Sequence, residues 1–190
     1  MQRQNNTEPL LIEMRDIVKT FPGTKALDGV TLKLRKGEIH ALVGENGAGK
    51  STLMNILTGQ FYMDSGEVLM EGEPIRFSSP REAMRKNIVL VPQELNLVPE
   101  ASVAENVFLG NEVLSGRLIN WKETAKEAER LLDLLDVHVD VSQPVKNLSA
   151  AYQQLVSIAR ALAYEPKVLI LDEPTAVLTN RETESLFKSM

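Results

Sequence analysis

One eight-residue stretch constrains this chain more than any other. Gly44-Glu45-Asn46-Gly47-Ala48-Gly49-Lys50-Ser51 fits the pattern G-x-x-x-x-G-K-[ST]. Its context fits as well. "EIHALV" before it alternates in the manner of a strand, and "STLMNILTG" after it reads as a helix. Glycines remove side chains, so the backbone can curl around phosphate and aim its N–H groups inward. The start of the following helix adds a partial positive charge. Gly44, Asn46, Gly47 and Gly49 form the loop, Lys50 is expected to reach the outer phosphates, and Ser51 and Thr52 open the helix. Ser51 also offers a hydroxyl to Mg²⁺. The pattern therefore predicts a nucleoside phosphate site on an α/β scaffold.

The rest of the chain is consistent with such a scaffold. "LLIEMRDIVKTF" and "GVTLKLRKGEIHALVG" read as strands, and "GEVLMEGEPIRF" as a hairpin turning at Glu71-Gly72. Strands that follow one another without helices predict an antiparallel part. Later segments alternate. Ser79 to Glu82 reads as a capping box with Pro80 at the first helical position, and "NIVLVPQ" as a strand ending at Gln93. Ser102 to Glu105 is a second capping box. Asn120 is placed to cap a helix whose Ala128, Leu131, Leu132 and Leu135 share one face, most simply for core packing. Ser149 caps "AAYQQLVSIARALAY", "KVLIL" is a short buried strand, and Thr179 to Glu182 opens a last helix. The expected layout is a flexible leader over residues 1–10 and one domain over residues 11–190, with a helical insert at about residues 94–148.

A phosphate site that binds Mg²⁺ also needs a carboxylate. Asp172 follows "VLIL" directly and so stands at a strand's C-terminal end, where open parallel sheets hold ligands. Glu173 comes next and could polarise an attacking water. Two acids at a strand exit are commonplace alone; the upstream phosphate loop is what gives them meaning.

Composition narrows the function. A formal net charge of −5 argues against a general nucleic-acid surface, and the absence of cysteine excludes disulfides and thiolate metal sites. The polar start "MQRQNNTEPL" has no signal-peptide core, and no apolar run approaches the roughly 18 residues needed to span a bilayer.

In this order the motifs "GENGAGKST", "VPQE", "LSAAYQQ" and "LILDEPT" resemble the nucleotide-binding domain of ABC transporters, over nearly the whole chain from about Leu11. "GENGAGKSTLMNILTG", "PQELNLVPEASVAENVFLG" and "TNRETESLF" are similar to the monosaccharide importers of the ribose and galactose type. The resemblance implies a P-loop NTPase fold of the ABC type, with an antiparallel β subdomain and a helical insert. It implies that ATP and Mg²⁺ are bound and that ATP is hydrolysed to drive sugar import. It assigns Phe21 to stacking on adenine, although an ordinary buried strand phenylalanine is the alternative. Gln93 matches the glutamine that senses Mg²⁺ and the attacking water. Asp172 matches the Mg²⁺-associated aspartate and Glu173 the catalytic glutamate. Ser149 lies in the signature segment, which in the family reaches the γ-phosphate held by a second ATPase domain.

Two departures stand out. The signature here is Leu148-Ser149-Ala150-Ala151-Tyr152 where the family has Leu-Ser-Gly-Gly-Gln, and Thr179 stands where many relatives have aspartate. The resemblance also implies a later histidine facing the γ-phosphate. The two histidines present, His40 and His138, lie upstream of Glu173 and are expected to be structural or surface residues. The implied partners are a second ATPase domain, membrane permease subunits and, indirectly, a sugar-binding protein, with no nucleic acid. The implied location is the cytoplasmic face of the membrane, peripherally bound. The chain is thus expected to be an N-terminal piece of an importer ATPase. Its rivals are an ATP-binding fragment without turnover and a soluble ABC protein acting on nucleic acid or ribosomes.

Overall fold

The computed structural model describes residues 9–174 together with Leu178, Thr183 and Leu186. The chain divides into two compact units, Met1–Arg85 and Lys86–Met190.

The first unit is built on an antiparallel sheet. Strands β1 (Leu10–Phe21) and β2 (Thr24–Arg35) form a long hairpin, and β3 (Ser65–Met70) and β4 (Glu73–Pro74) a short one, in the order β2-β1-β3-β4. Alternation in β1 puts Ile12 and Met14 wholly in the interior, and a register shift between Met14 and Ile17 returns Ile17 to the same side. The β3–β4 turn falls on Glu71 and Gly72, both at positive φ (53° and 86°), as a tight hairpin requires. Helix α1 (Lys50–Leu57) buries Leu53, Ile56 and Leu57, and α2 (Pro80–Arg85) closes the unit.

One expected element is absent from its place. Glu38 to Val43, read as the strand entering the phosphate loop, is irregular. Ile39 is 61% exposed and Val43 91%. Alternation identifies residues able to form a strand, but a strand also needs a hydrogen-bonded neighbour, and no ladder among the described residues includes these positions. His40 consequently sits outside any strand, with Nδ1 3.2 Å from a Glu38 carboxylate oxygen.

The second unit centres on a parallel pair, β5 (Ile88–Val91) and β8 (Val168–Leu171), matched Ile88 to Val168 through Val91 to Leu171. Between them run α3 (Val103–Val107), a small hairpin of β6 (Leu114–Ser115) and β7 (Leu118–Ile119), α4 (Trp121–Asp133) and α5 (Ala150–Leu162). One core joins them. Val103 and Val107 of α3, Ala128, Leu131 and Leu132 of α4, and Leu155, Val156 and Ile158 of α5 pack with Val89 and Val91 of β5.

Three helix starts follow the sequence. Ser102 caps α3 in a full capping box with Glu105, Asn120 accepts from Glu123 N–H, and Ser149 accepts from Tyr152 N–H. The box predicted at Ser79 differs. Glu82 accepts from the N–H of Ser78, 2.7 Å away, rather than from that of Ser79. The Glu82 carboxylate still satisfies a backbone N–H before the helix, one residue earlier than spacing suggests. The capping box predicted over residues 179–182 lies outside the described residues.

Candidate nucleotide-binding site

The first unit carries the phosphate loop. Gly49 precedes α1 at φ 89°, and a Cβ there would lie 2.5 Å from the carbonyl oxygen of Ala26 and 2.8 Å from Leu27 Cδ2. Only glycine fits this approach of the loop to β2. Gly47 also takes a positive φ, 85°, but faces open space. Gly44 packs more loosely, its hypothetical Cβ 3.3 Å from that of Ala48. Lys50 folds back over the loop. Its Nζ donates to the carbonyls of Gly44 at 2.7 Å and Glu45 at 3.0 Å. The ammonium is thereby held over the concave loop instead of reaching into solvent. Asn46 and Ser51 are exposed and Thr52 half-exposed.

Phe21 ends β1 half-exposed, so it is not the buried strand phenylalanine that sequence left open. Its ring meets Phe61 edge-on with centroids 5.4 Å apart, and Lys19 Nζ lies 5.4 Å from its centroid. Phe61 was not singled out from sequence; its contact with Phe21 depends on β1 and the end of α1 meeting in space.

The second unit brings Glu173, next to Asp172 in the chain, together with Gln93. Asp172 leaves β8 with its N–H bonded to Val91 O at 3.1 Å, continuing the β5–β8 register. Glu173 follows at φ 49°. That left-handed conformation is strained for a residue with a Cβ, by about 1–2 kcal/mol, and such strain gathers where a side chain must be aimed. Gln93, two residues past β5, donates from Nε2 to Glu173 Oε2 at 3.2 Å. The carboxylate therefore has a fixed neighbour. Ser149 stands at the N-cap of α5 with an extended backbone.

The donor set expected for Mg²⁺ is a hydroxyl (Ser51), an amide oxygen (Gln93) and a carboxylate (Asp172). All are hard oxygen ligands, and Mg²⁺ takes one or two carboxylates together with water and substrate phosphate. Among the described residues no group of three or more His, Cys, Asp or Glu could hold a metal.

Other anchors escaped the sequence reading. Asn106, in α3, is fully buried; its Oδ1 accepts from Val98 N–H at 2.7 Å and its Nδ2 donates to Val98 O at 3.0 Å. An asparagine beside Glu105 in the otherwise apolar run "VAENVF" was the available signal. Arg160 on α5 donates to Asn96 O at 3.0 Å. Asn87 donates to the carbonyls of Tyr164 and Glu165, pinning the turn before β8.

The chain is similar to known proteins over most of its length. Residues 27–176 match the family model described as ABC transporter. The ribose import ATP-binding protein of Rhodopirellula baltica is 50% identical over 183 residues, which is 96% of this chain and 36% of that protein. The xylose import ATP-binding protein of Moorella thermoacetica is 51% identical over 93% of this chain and 35% of its own length. The chain thus spans about a third of the curated relatives it matches. A nucleotide-free ATP-binding cassette from an ABC transporter superposes with TM-score 0.81 at 31% identity, covering 94% of this chain and 75% of that one. A cassette solved as a dimer with ADP and Pi gives TM-score 0.79 at 27% identity, covering 94% and 80%. With its phosphate loop, its acidic strand exit and a family match across most of its length, the chain belongs to the ABC transporter family of ATP-binding proteins.

Proposed function

We propose that this chain is an ATP-binding and ATP-hydrolysing unit that energises import of a monosaccharide through a membrane permease. The observation that carries the reading is the phosphate loop: a helix N-terminus behind glycines, one of them walled in at Gly49, with Lys50 Nζ held over the loop carbonyls. The names of the relatives, import proteins for ribose, xylose and galactose, support a monosaccharide as cargo. No helix among the described residues is long and apolar enough to cross a membrane, so attachment to its cytoplasmic face is proposed to come through the permease.

In this reading Gly44, Asn46, Gly47, Gly49 and Thr52 line the phosphates, Lys50 neutralises the β- and γ-phosphates, and Phe21 packs against the base. Ser51, Gln93 and Asp172 are proposed to hold Mg²⁺, which when bound neutralises charge on the phosphate oxygens. Glu173 takes a proton from the attacking water as the water oxygen bonds to the γ-phosphorus and ADP departs. Such a base contributes about 10²–10⁴-fold, and positioning supplies the rest. Ser149 is proposed to face the ATP of a second ATPase domain, where Ala150 and Ala151 replace the family's glycines.

The test is ATP affinity by calorimetry. Lys50→Ala is expected to weaken binding by about 10- to 100-fold or more, because one charge-assisted contact of this kind is worth about 1.5–3 kcal/mol and the lysine also organises its own loop. Unchanged affinity would refute the reading. A second reading is binding without turnover by this chain alone; turnover assayed with and without a second ATPase domain separates the two.

A further inference from the structure

Residues 93–98 link the end of β5 to the helical part of the second unit without forming helix or strand. A segment of that kind keeps a defined path only if side chains hold it. Three do so. Gln93 Nε2 binds Glu173 at one end, and Asn106 clamps both polar groups of the Val98 peptide at the other. Between them the guanidinium of Arg160 donates from Nη1 to the carbonyl of Asn96 at 3.0 Å. Arg160 lies on α5, the helix capped by Ser149, eleven residues further along and so about 16 Å from that cap. Asn96 follows Gln93 by three residues, about 10 Å of extended chain at most.

We propose that Arg160 is a positioning residue: through Asn96 it sets the path of the segment carrying Gln93, and Gln93 in turn aims the Glu173 carboxylate. The helix that begins at Ser149 is thereby tied to the base that activates water. The amide of Gln93 suits the middle of this chain. Its NH₂ end is used on Glu173 and its oxygen, the end able to accept, is left for another group. An ordinary role for Arg160 would be a cation near the C-terminus of α5, complementing the helix dipole. That role needs charge alone. Holding Asn96 needs a donor that reaches the loop, and the two roles predict different outcomes.

The proposal rests on the catalytic reading of Glu173, and the experiment keeps the two apart. Amide exchange of residues 94–97 is measured in the chain as it stands, for the native protein, Arg160→Ala and Arg160→Lys. Exchange is expected to be about tenfold faster in Arg160→Ala, with the Val98 amide, held by Asn106, little changed, and intermediate in Arg160→Lys. ATP turnover, measured with a second ATPase domain present, is expected to fall about five- to tenfold in kcat for Arg160→Ala while ATP affinity stays within twofold. Native-like exchange at residues 94–97 in Arg160→Ala overturns the tether. So does full recovery of both readouts in Arg160→Lys, which would point to the helix-end charge. A changed exchange rate with unchanged kcat overturns the coupling to Glu173. Failure of the native protein to bind ATP would instead sink the functional reading and leave the exchange result standing.

Discussion

Gly47 and Gly49 both take positive φ, yet substitution should treat them differently. Alanine at position 47 meets only backbone strain, about 1–2 kcal/mol. At position 49 it also meets the Ala26 carbonyl at 2.5 Å, so the loop must move. Gly49→Ala is expected to lower the melting temperature by several degrees more than Gly47→Ala, and to weaken ATP binding more strongly; thermal denaturation and calorimetry on the pair decide it. Glu173 offers a second contrast. Glu173→Gln keeps the shape and can still pair with Gln93 by turning its amide, but it cannot take a proton. It is expected to retain ATP and to reduce turnover by about 10²-fold or more in the assembled transporter; unimpaired transport would refute the role. Residue types and spacing marked both positions in the sequence. The wall at Ala26 was not marked, because it comes from β2 folding against the loop.

Among the elements, local chemistry was the most legible. Helix α4 declares itself through Asn120 and the stripe of Ala128, Leu131 and Leu132, with the buried Leu135 just past its end, and α3 through the Ser102–Glu105 box. These signals act within four residues, so no distant segment is needed to satisfy them. Ser102→Ala is expected to cost about 1 kcal/mol, or about 2–4 °C in melting temperature for a chain of this size; a loss below 0.3 kcal/mol would show the box to be idle. Two features were not legible. The β6–β7 hairpin is two residues a side with few cues beyond Gly116. Asn106 reads as an ordinary polar helix residue beside Glu105 until the Val98 loop folds over it. Removing it leaves both polar groups of a peptide without their side-chain partner, so Asn106→Leu is expected to destabilise by about 2–3 kcal/mol despite its apolar gain, measured by urea unfolding.

For the whole molecule, charge regulation follows a common sign. Contacts with donors hold several carboxyls below their ordinary range: Glu13 by Arg15, Glu38 by the Arg35 N–H, Asp64 by Lys19, Glu82 by the Ser78 N–H, Glu105 by Ser102 and Asp140 by Ser142. A carboxyl depressed in the folded state stabilises above its unfolded value, about 3.9–4.3, and that stabilisation is lost as pH falls through the folded value. Melting temperature should therefore be nearly flat from pH 7 to 5 and drop below about pH 4; these groups are solvent-facing, so added salt should blunt the drop. A flat profile to pH 3 would contradict this. The family and the α/β class were legible because ordered motifs recur along the chain. The irregular path of Glu38–Val43 was not, since pairing depends on neighbours that alternation cannot reveal. That segment also has a consequence for handling the chain. Among the described residues Ile39 and Val43 stand exposed beside the phosphate loop and outside any ladder, apolar surface of the kind on which chains associate. A polar residue at Val43 should then raise the soluble fraction of this chain.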